Sequence, residues 1–389
     1  MRAVICGDTH IGAVFGLGRP NGKGGNTRVD DYEKTLNSII DHTIDSGADI
    51  FIQTGDLFEH RDPSPQHMKI VDKALKRLSN ANIATFVIMG NHDYKRSGSE
   101  FTSAISSLAA CEYPNVRMLL DPEVVEVCNS KNEKVNLLLI PYRDKRMYSG
   151  SNIREQSASY NDHIKELVSK NDSGLPMIAV GHNFFFEGSY NDYGGSEVMA
   201  APISFRGCDA AVMGHLHQFR VLQKTAPVCI YSGSMEKSNF GDTGTDKYFI
   251  DYSFFDKKIK FCKTQVRALV DKSIDLSGSD FSNIAADLKS SLEEDDYKEK
   301  IVRLKLSVDE KLLPAIDKQI IQDDLYKMGA YHVSKVIVEA VSKRIVRDNA
   351  ILNHKDDYSM LEAFIGSQDI DKEYMEELLK EAKIIMGES

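Results

Sequence analysis

The chain has 389 residues, a formal net charge of −10 and a sequence pI near 5.6: too long for one ordinary core, and too acidic to coat nucleic acid through its general surface. Apolar residues make up 42% and charged residues 27%, and no apolar run approaches the roughly 20 residues of a membrane span, so a soluble protein of two or more domains is expected. The N-terminus reads as a strand entering a motif, not as a signal peptide, and six scattered cysteines without C-x-x-C pairs read as reduced thiols of a cytoplasmic protein.

In chain order, the first strand-like run, 3–6, ends at Asp8-Thr9-His10. A loop with six glycines between Gly12 and Gly25 follows, carrying Arg19 and Lys23, with Arg28 beyond it. A phosphate cradle needs G-K-[ST] opening a helix after a strand. Here Lys23 is followed by Gly24, so a mobile surface loop beside the site is expected, with contact to a substrate backbone as the lesser alternative. Helix 31–45 comes next, then strand 49–54 ending at Gly55-Asp56, helix 66–80, and strand 83–89 ending at Gly90-Asn91-His92-Asp93. Helix 100–110, strand 135–140 and helix 153–169 lead to strand 177–180, which ends at Gly181-His182. Strand 210–213 ends at Gly214-His215-Leu216-His217.

Strands 227–231, 247–255 and 258–262 then follow without intervening helices. That order favours an α/β domain with a layered mixed sheet over a purely parallel one. Between 270 and 300 the chain turns polar and acidic, with a helix inside, and this is the expected boundary. Beyond it, strand 301–306, helix 312–327 and strand 331–339 form a small α/β unit. Residues 355–389 are helical and acidic, with ten Asp/Glu against four Lys. The expected division is 1–265 for the site-bearing domain, 266–350 for a linker helix and small α/β cap domain, and 351–389 for a helical tail.

Residues just past the carboxyl ends of strands in an open α/β sheet line one crevice. Asp8, His10, Asp56, Asn91, His182, His215 and His217 should therefore converge. Seven oxygen and nitrogen donors are more than one metal needs and suit two divalent ions. The i, i+2 pairs Asp8/His10 and His215/His217 share a face of extended chain, and Asp56 is the natural bridge. A mixed oxygen and imidazole set suits Mn²⁺, Fe²⁺ or Zn²⁺ better than Ca²⁺, and the lack of thiolates argues against structural zinc. A lone Asp or His at a strand end is ordinarily a loop residue bonded to backbone; five such segments in order outweigh that reading.

The series D-x-H, G-D, G-N-H-[DE], G-H and G-H-x-H resembles the calcineurin-like metallophosphoesterases over roughly residues 1–260. The resemblance implies that Asp8, His10, Asp56 and His217 hold one metal and that Asp56, Asn91, His182 and His215 hold the other. It places His92 against the substrate phosphate. Such a metal pair clamps a phosphodiester and activates a water, so no serine or cysteine nucleophile is needed. His92 would donate a proton to the leaving oxygen or stabilise phosphoryl charge. Asp93 either orients His92 or caps its loop.

Within this family, Gly55-Asp56-Leu57-Phe58 followed by Pro63-Ser64-Pro65 is similar to the SbcD-type nuclease subunits of double-strand-break repair and their bacteriophage counterparts. That implies a Mn²⁺-dependent DNA nuclease, exonucleolytic on duplex ends and endonucleolytic on single strands or hairpins. It also implies a capping domain beginning near Glu299, C-terminal helices that dock on an SbcC-like coiled-coil ATPase, and a homodimer in the cytoplasm with no membrane contact. The family commonly has histidine directly after Asp-Leu-Phe, whereas here Glu59 stands there and His60 follows. Either the loop shifts so that His60 takes that catalytic role, or the contribution weakens. His67 is expected at the surface.

In the tail, Met375, Leu378, Leu379, Ala382, Ile385 and Met386 form one apolar helical stripe. A second stripe, Met360, Leu361, Phe364 and Ile365, ends at Gly366, which suggests a helix pair. The pair either packs on its own domain or lies against a partner helix; the resemblance favours the partner. Lys343, Arg344 and Arg347, and the loop Arg143, Lys145 and Arg146, are either solvated faces or phosphate contacts. Two rival functions share the same donor set: a phosphodiesterase or phosphatase acting on a small or protein substrate, and a non-catalytic interaction subunit.

Overall fold

The structure, a computed structural model, describes residues 1–94, 96–97, 100–101, 104–171, 174–185, 197–341, 357–366 and 372–386. The first half begins with β1 (Arg2–Cys6), α1 (Thr27–Asp45), β2 (Ile50–Gln53), α2 (Pro65–Asn80), β3 (Ala84–Ile88), α3 (Ala104–Ala109) and β4 (Val116–Leu119). It continues with β5 (Glu123–Cys128), β6 (Lys134–Ile140), α4 (Ile153–Ser169), β7 (Met177–His182) and β8 (Ala210–Gly214). Then come β9 (Arg220–Gln223), β10 (Val228–Tyr231), β11 (Tyr248–Ser253) and β12 (Lys258–Lys263).

These strands make two six-stranded sheets, in the orders β12-β11-β1-β2-β3-β4 and β9-β10-β8-β7-β6-β5. Strands β1 to β4 run parallel in the first sheet, as do β10, β8, β7 and β6 in the second. The remaining strands add antiparallel edges.

Alternation along the strands sorts the core into layers. Ala3, Ile5, Ile50, Ile52, Phe86 and Ile88 of the first sheet meet Val135, Leu137, Leu139, Ile178, Val180 and Val212 of the second. The opposite face of the first sheet, Val4, Cys6, Phe51 and Val87, packs under Tyr32, Leu36 and Ile40 of α1 and Val71, Leu75 and Leu78 of α2. The outer face of the second sheet, Leu138, Ile140, Ala179 and Ala211, lies under Tyr160, Ile164 and Leu167 of α4. The result is a layered mixed α/β fold with helices outside two facing sheets.

Beyond it, β13 (Leu269–Asp275), α5 (Ile284–Glu293), β14 (Ile301–Asp309), α6 (Lys318–Lys327) and β15 (His332–Val341) build a three-stranded parallel sheet with its own apolar core. Helices α7 (Asp357–Gly366) and α8 (Lys372–Met386) pack on one another. Met375, Leu378, Leu379 and Ala382 are part-buried, whereas Phe364, Ile384, Ile385 and Met386 are exposed. Among the described residues, no helix is long and apolar enough to cross a membrane.

The structure departs from or adds to the sequence reading in four places. The expected helix 100–110 is helical only from Ala104, because Glu100–Phe101 pairs with Arg96–Ser97. The expected helix 312–327 breaks at Pro314, which lacks an N–H; a 3₁₀ turn, Glu310–Ala315, precedes α6, whose start is capped by Asp317 accepting from Gln319 N at 2.8 Å. Strand β13 lies inside the stretch read as a polar boundary. The glycine-rich loop is pinned at its centre: Leu17 is buried with Leu269 and Ile301, Gly16 O accepts from Ser334 Oγ at 2.7 Å, and the Arg19 guanidinium lies over Tyr326 and Tyr331. All six cysteines are free, with Cys111 and Cys128 exposed.

Candidate metal centre

The parallel strands of both sheets end at one edge, and the seven expected donors lie there. Asp8 and His10 follow β1, Asp56 follows β2, Asn91 follows β3, His182 ends β7, and His215 and His217 follow β8. The chain must turn sharply to keep these side chains at the rim. His10, Asp56 and His215 have φ values of 42°, 51° and 85°, in a left-handed region costly for non-glycine residues and often found at functional sites. Two motif glycines are explained by close approach: a Cβ on Gly90 would overlap Asp56, and one on Gly214 would overlap Asp8 and Thr54.

Two donor sets result. Asp8, His10 and His217 bring ligand atoms within 4.8 Å of one another, as do Asp56, His182 and His215. His10 Nε2 lies 2.9 Å from His217 Nε2. Asn91 Oδ1 lies 2.8 Å from His182 Nε2 and 2.7 Å from His215 Nδ1, which joins it to the second set. Asp56 stands between the sets, with Oδ2 3.6 Å from His10 Nε2 and 3.4 Å from His182 Nε2. Backbone amides fix both carboxylates: His215 N donates to Asp8 Oδ2 at 2.9 Å, and His92 N donates to Asp56 Oδ1 at 2.8 Å.

The hydrogen bonding fits cations. His182 Nδ1 faces the Thr54 carbonyl at 3.0 Å, and a carbonyl only accepts, so Nδ1 carries a proton. In the neutral ring, Nε2 is then a lone pair aimed at the oxygen of Asn91, and a cation between the two resolves that conflict. Without one, the Asn91 amide must turn its NH2 to Nε2, or the ring must take up a second proton. Desolvation opposes this, but Asp56 and Asp8 outweigh it and push the His182 pKa up to about 9. Burial would raise Asp56, yet His182, His10 and His92 hold its carboxyl below the usual range. Burial, His10 and Lys247 bring His217 down to about 4 against the opposing pull of Asp8. Imidazole nitrogens and carboxylate oxygens in this arrangement are the donors a divalent pair takes.

The remaining expected residues fall in three places. His92 is partly exposed at the rim, its ring edge-on to His10 with centroids 4.9 Å apart, and its Nδ1 donates to the Glu59 carbonyl at 2.9 Å. Asp93 is buried and holds loops instead of touching that ring: Oδ2 accepts from Leu57 N and Gly90 N, both at 3.0 Å, and Oδ1 from Phe58 N at 3.1 Å. Burial and Asp56 raise its pKa to about 6. His60 is exposed in a cleft lined by Glu59, Arg61, Asp62, Asn91 and His92. Arg143 pairs with Asp121, and Arg146 with Asp144 at 2.8 Å. Lys343, Arg344 and Arg347 lie outside the described residues. His67 is half-buried and packs against Gly12.

Sequence reasoning missed several neighbours. Tyr142 stacks on His215 at 6.5 Å, Phe184 meets its edge at 4.2 Å, and Ser238 Oγ lies 3.1 Å from His217 Nδ1. None carries a spacing signal, because each arrives from a separate strand end. Glu59 had one: it occupies the position where a histidine was expected.

A family model described as calcineurin-like phosphoesterase matches residues 1–219. Over 224 residues the chain is 25% identical to the DNA double-strand break repair protein Mre11 of Methanosarcina mazei, covering 57% of this chain and 32% of that protein. Over 220 residues it is 24% identical to the uncharacterized metallophosphoesterase YhaO of Bacillus subtilis, covering 56% and 48%. Over 209 residues it is 23% identical to the Mre11 protein of Thermoplasma acidophilum, covering 54% and 51%. The match thus spans about a third to a half of the length of these curated relatives.

Proposed function

Because the chain belongs to the calcineurin-like phosphoesterase family, we propose that it is a two-metal DNA phosphodiesterase, a Mn²⁺-dependent nuclease subunit working with an SbcC-like ATPase. The observation that carries this reading is the closure of seven donors from five strand ends onto two adjacent sets with Asp56 between them. DNA as substrate is supported by the Asp-Leu-Phe and Pro-Ser-Pro segment and by relatives named for DNA double-strand break repair.

Asp8, His10, Asp56 and His217 would hold one ion, and Asp56, Asn91, His182 and His215 the other. Bound there, the ions supply charge to clamp the phosphodiester and acidity to activate water. With Nδ1 donating to the Glu59 carbonyl, a doubly protonated His92 would hold its second proton on Nε2, to pass to the leaving oxygen or to steady phosphoryl charge. Asp93 holds the Asp56 and Asn91 loops in register. His60 lines the cleft beside His92, and Arg143, Lys145 and Arg146 would meet the DNA backbone.

Residues 266–350 serve as the cap, and the helices within 351–389 dock on the ATPase through Phe364, Ile384, Ile385 and Met386, all exposed. The chain acts as a cytoplasmic homodimer. A comparison of kcat/KM on a single-stranded oligonucleotide and on bis(p-nitrophenyl) phosphate, both with Mn²⁺, tests the substrate. The oligonucleotide should be strongly preferred; turnover of the small ester alone would make the chain a small-substrate phosphodiesterase.

A further inference from the structure

Each of the four imidazoles in the donor sets turns one ring nitrogen to the centre and the other to an outside partner. For His182 that partner is the Thr54 carbonyl, and for His217 it is the Ser238 hydroxyl. For the other two it is a carboxylate. His10 Nδ1 lies 2.9 Å from Glu59 Oε2, and His215 Nε2 lies 3.3 Å from Glu197 Oε2. Both carboxylate oxygens are shielded from solvent, and among the described residues neither makes an aligned hydrogen bond. A buried carboxylate oxygen left in that state is costly and calls for an explanation.

We propose that Glu59 and Glu197 are positioning residues, one for each metal, that fix the tautomer and direction of His10 and His215. The inference rests on the two-metal reading above. A carboxylate at His10 Nδ1 keeps the proton on that atom, which leaves the Nε2 lone pair facing His217 and the first donor set. At His215 the sides are reversed: Glu197 holds the proton on Nε2, and Nδ1 faces Asn91 Oδ1 and the second set. In both cases the carboxylate draws the proton outward and makes the inner nitrogen a stronger donor, as carboxylate–histidine–metal arrangements do.

The two glutamates reach the centre independently. Glu59 comes from the loop after β2, directly behind Asp56-Leu57-Phe58, and its carbonyl also takes the Nδ1 proton of His92. A single residue thereby orients one ligand and the phosphate-facing histidine. Glu197 enters from the segment before β8 and reaches the other donor set through His215. Glu59 therefore has work at the position where His60 was expected to act.

The test is Mn²⁺ titration of the metal-stripped full chain, read by the loss of the free-ion electron paramagnetic resonance signal, with wild type, Glu59→Gln and Glu197→Gln in parallel. Uptake of two ions by wild type is the condition set by the two-metal reading, and uptake of fewer would sink that reading itself. Given two ions, each variant should keep the stoichiometry but weaken one of the two dissociation constants by about 10–100-fold, and the double variant should weaken both. The far-ultraviolet circular dichroism spectrum of each metal-free variant should match that of wild type. Variants that titrate like wild type would overturn the proposal, and so would outright loss of an ion, which would make the glutamate a ligand. If a Gln variant fails to fold, Glu59→Asp and Glu197→Asp carry the same test, with affinities between wild type and a tenfold loss expected.

Discussion

Asp56 concentrates the design of the centre in one side chain: a backbone at φ 51°, one oxygen held by His92 N, and the other facing His10 and His182. Asp56→Asn keeps the shape and removes the charge. Second-sphere changes at metal sites cost about 10–100-fold, so loss of the shared ligand should lower hydrolysis by more than about a hundredfold while the far-ultraviolet circular dichroism spectrum stays unchanged. Activity near wild type in that variant would remove Asp56 from the bridging position. His182 gives a pH prediction for the metal-free chain. Its folded pKa, about 9, lies above the ordinary histidine value of 6.5. The stability it contributes is therefore complete below about pH 6.5 and lost as pH rises towards 9. The metal-free melting temperature should fall across that window, and saturating Mn²⁺ should flatten the fall, because the ion replaces the proton. Parallel curves with and without metal would contradict this.

At the scale of elements, the turn after β10 is tied to the centre and to α1 at once. Ser238 meets His217 and donates to Asp242 Oδ2 at 3.2 Å, while Glu236 and the Lys237 carbonyl both receive the buried Arg28 guanidinium at the start of α1. Arg28 also reaches Asp31 at 3.1 Å; Asp31 in turn pairs with Arg267, whose guanidinium covers Tyr331 and bonds Glu299 at 3.0 Å. Arg28→Met strands Glu236 in the interior, where burial already raises its pKa against the pull of Arg28. Breaking such a buried pair costs about 3–5 kcal/mol, and urea unfolding should show it; a loss below about 1 kcal/mol would mean that the network is not coupled to folding. In the tail, α8 packs on α7 with part of its stripe half-buried, but Ile385 of that stripe and the neighbouring Ile384 are mostly exposed. On the proposed reading, removal of residues 355–389 should leave basal metal-dependent cleavage intact and abolish co-purification with an SbcC-like ATPase; unchanged co-purification would count against docking through the tail. Local signals made most of these elements legible: alternating runs marked β1, β2, β3, β7 and β8, and an apolar stripe marked α2. Strands β4, β5 and β9 escaped because mixed polar content hides short edge segments. The contacts of the glycine-rich loop were not legible because its partners, Leu269, Ile301 and Ser334, are remote in sequence.

For the whole molecule, two sheets that end their parallel strands on one edge turn five distant segments into one rim, which is why the convergence of the seven residues could be read from sequence order. The outer partners of the imidazoles could not, since Glu197, Ser238 and Thr54 take their places only when the sheets close. The net charge of −10 gives little general surface attraction to a polyanion, so on the proposed reading the positive charge that would meet a phosphate is the charge the metals would bring. The most direct test is Mn²⁺-dependent nucleotide release from an end-labelled DNA duplex by the purified chain, with and without chelator. The account predicts release of mononucleotides or short fragments that stops on chelation and is absent from Asp56→Asn. Hydrolysis of a small phosphodiester with no DNA cleavage, or DNA cleavage that persists in Asp56→Asn, would contradict it.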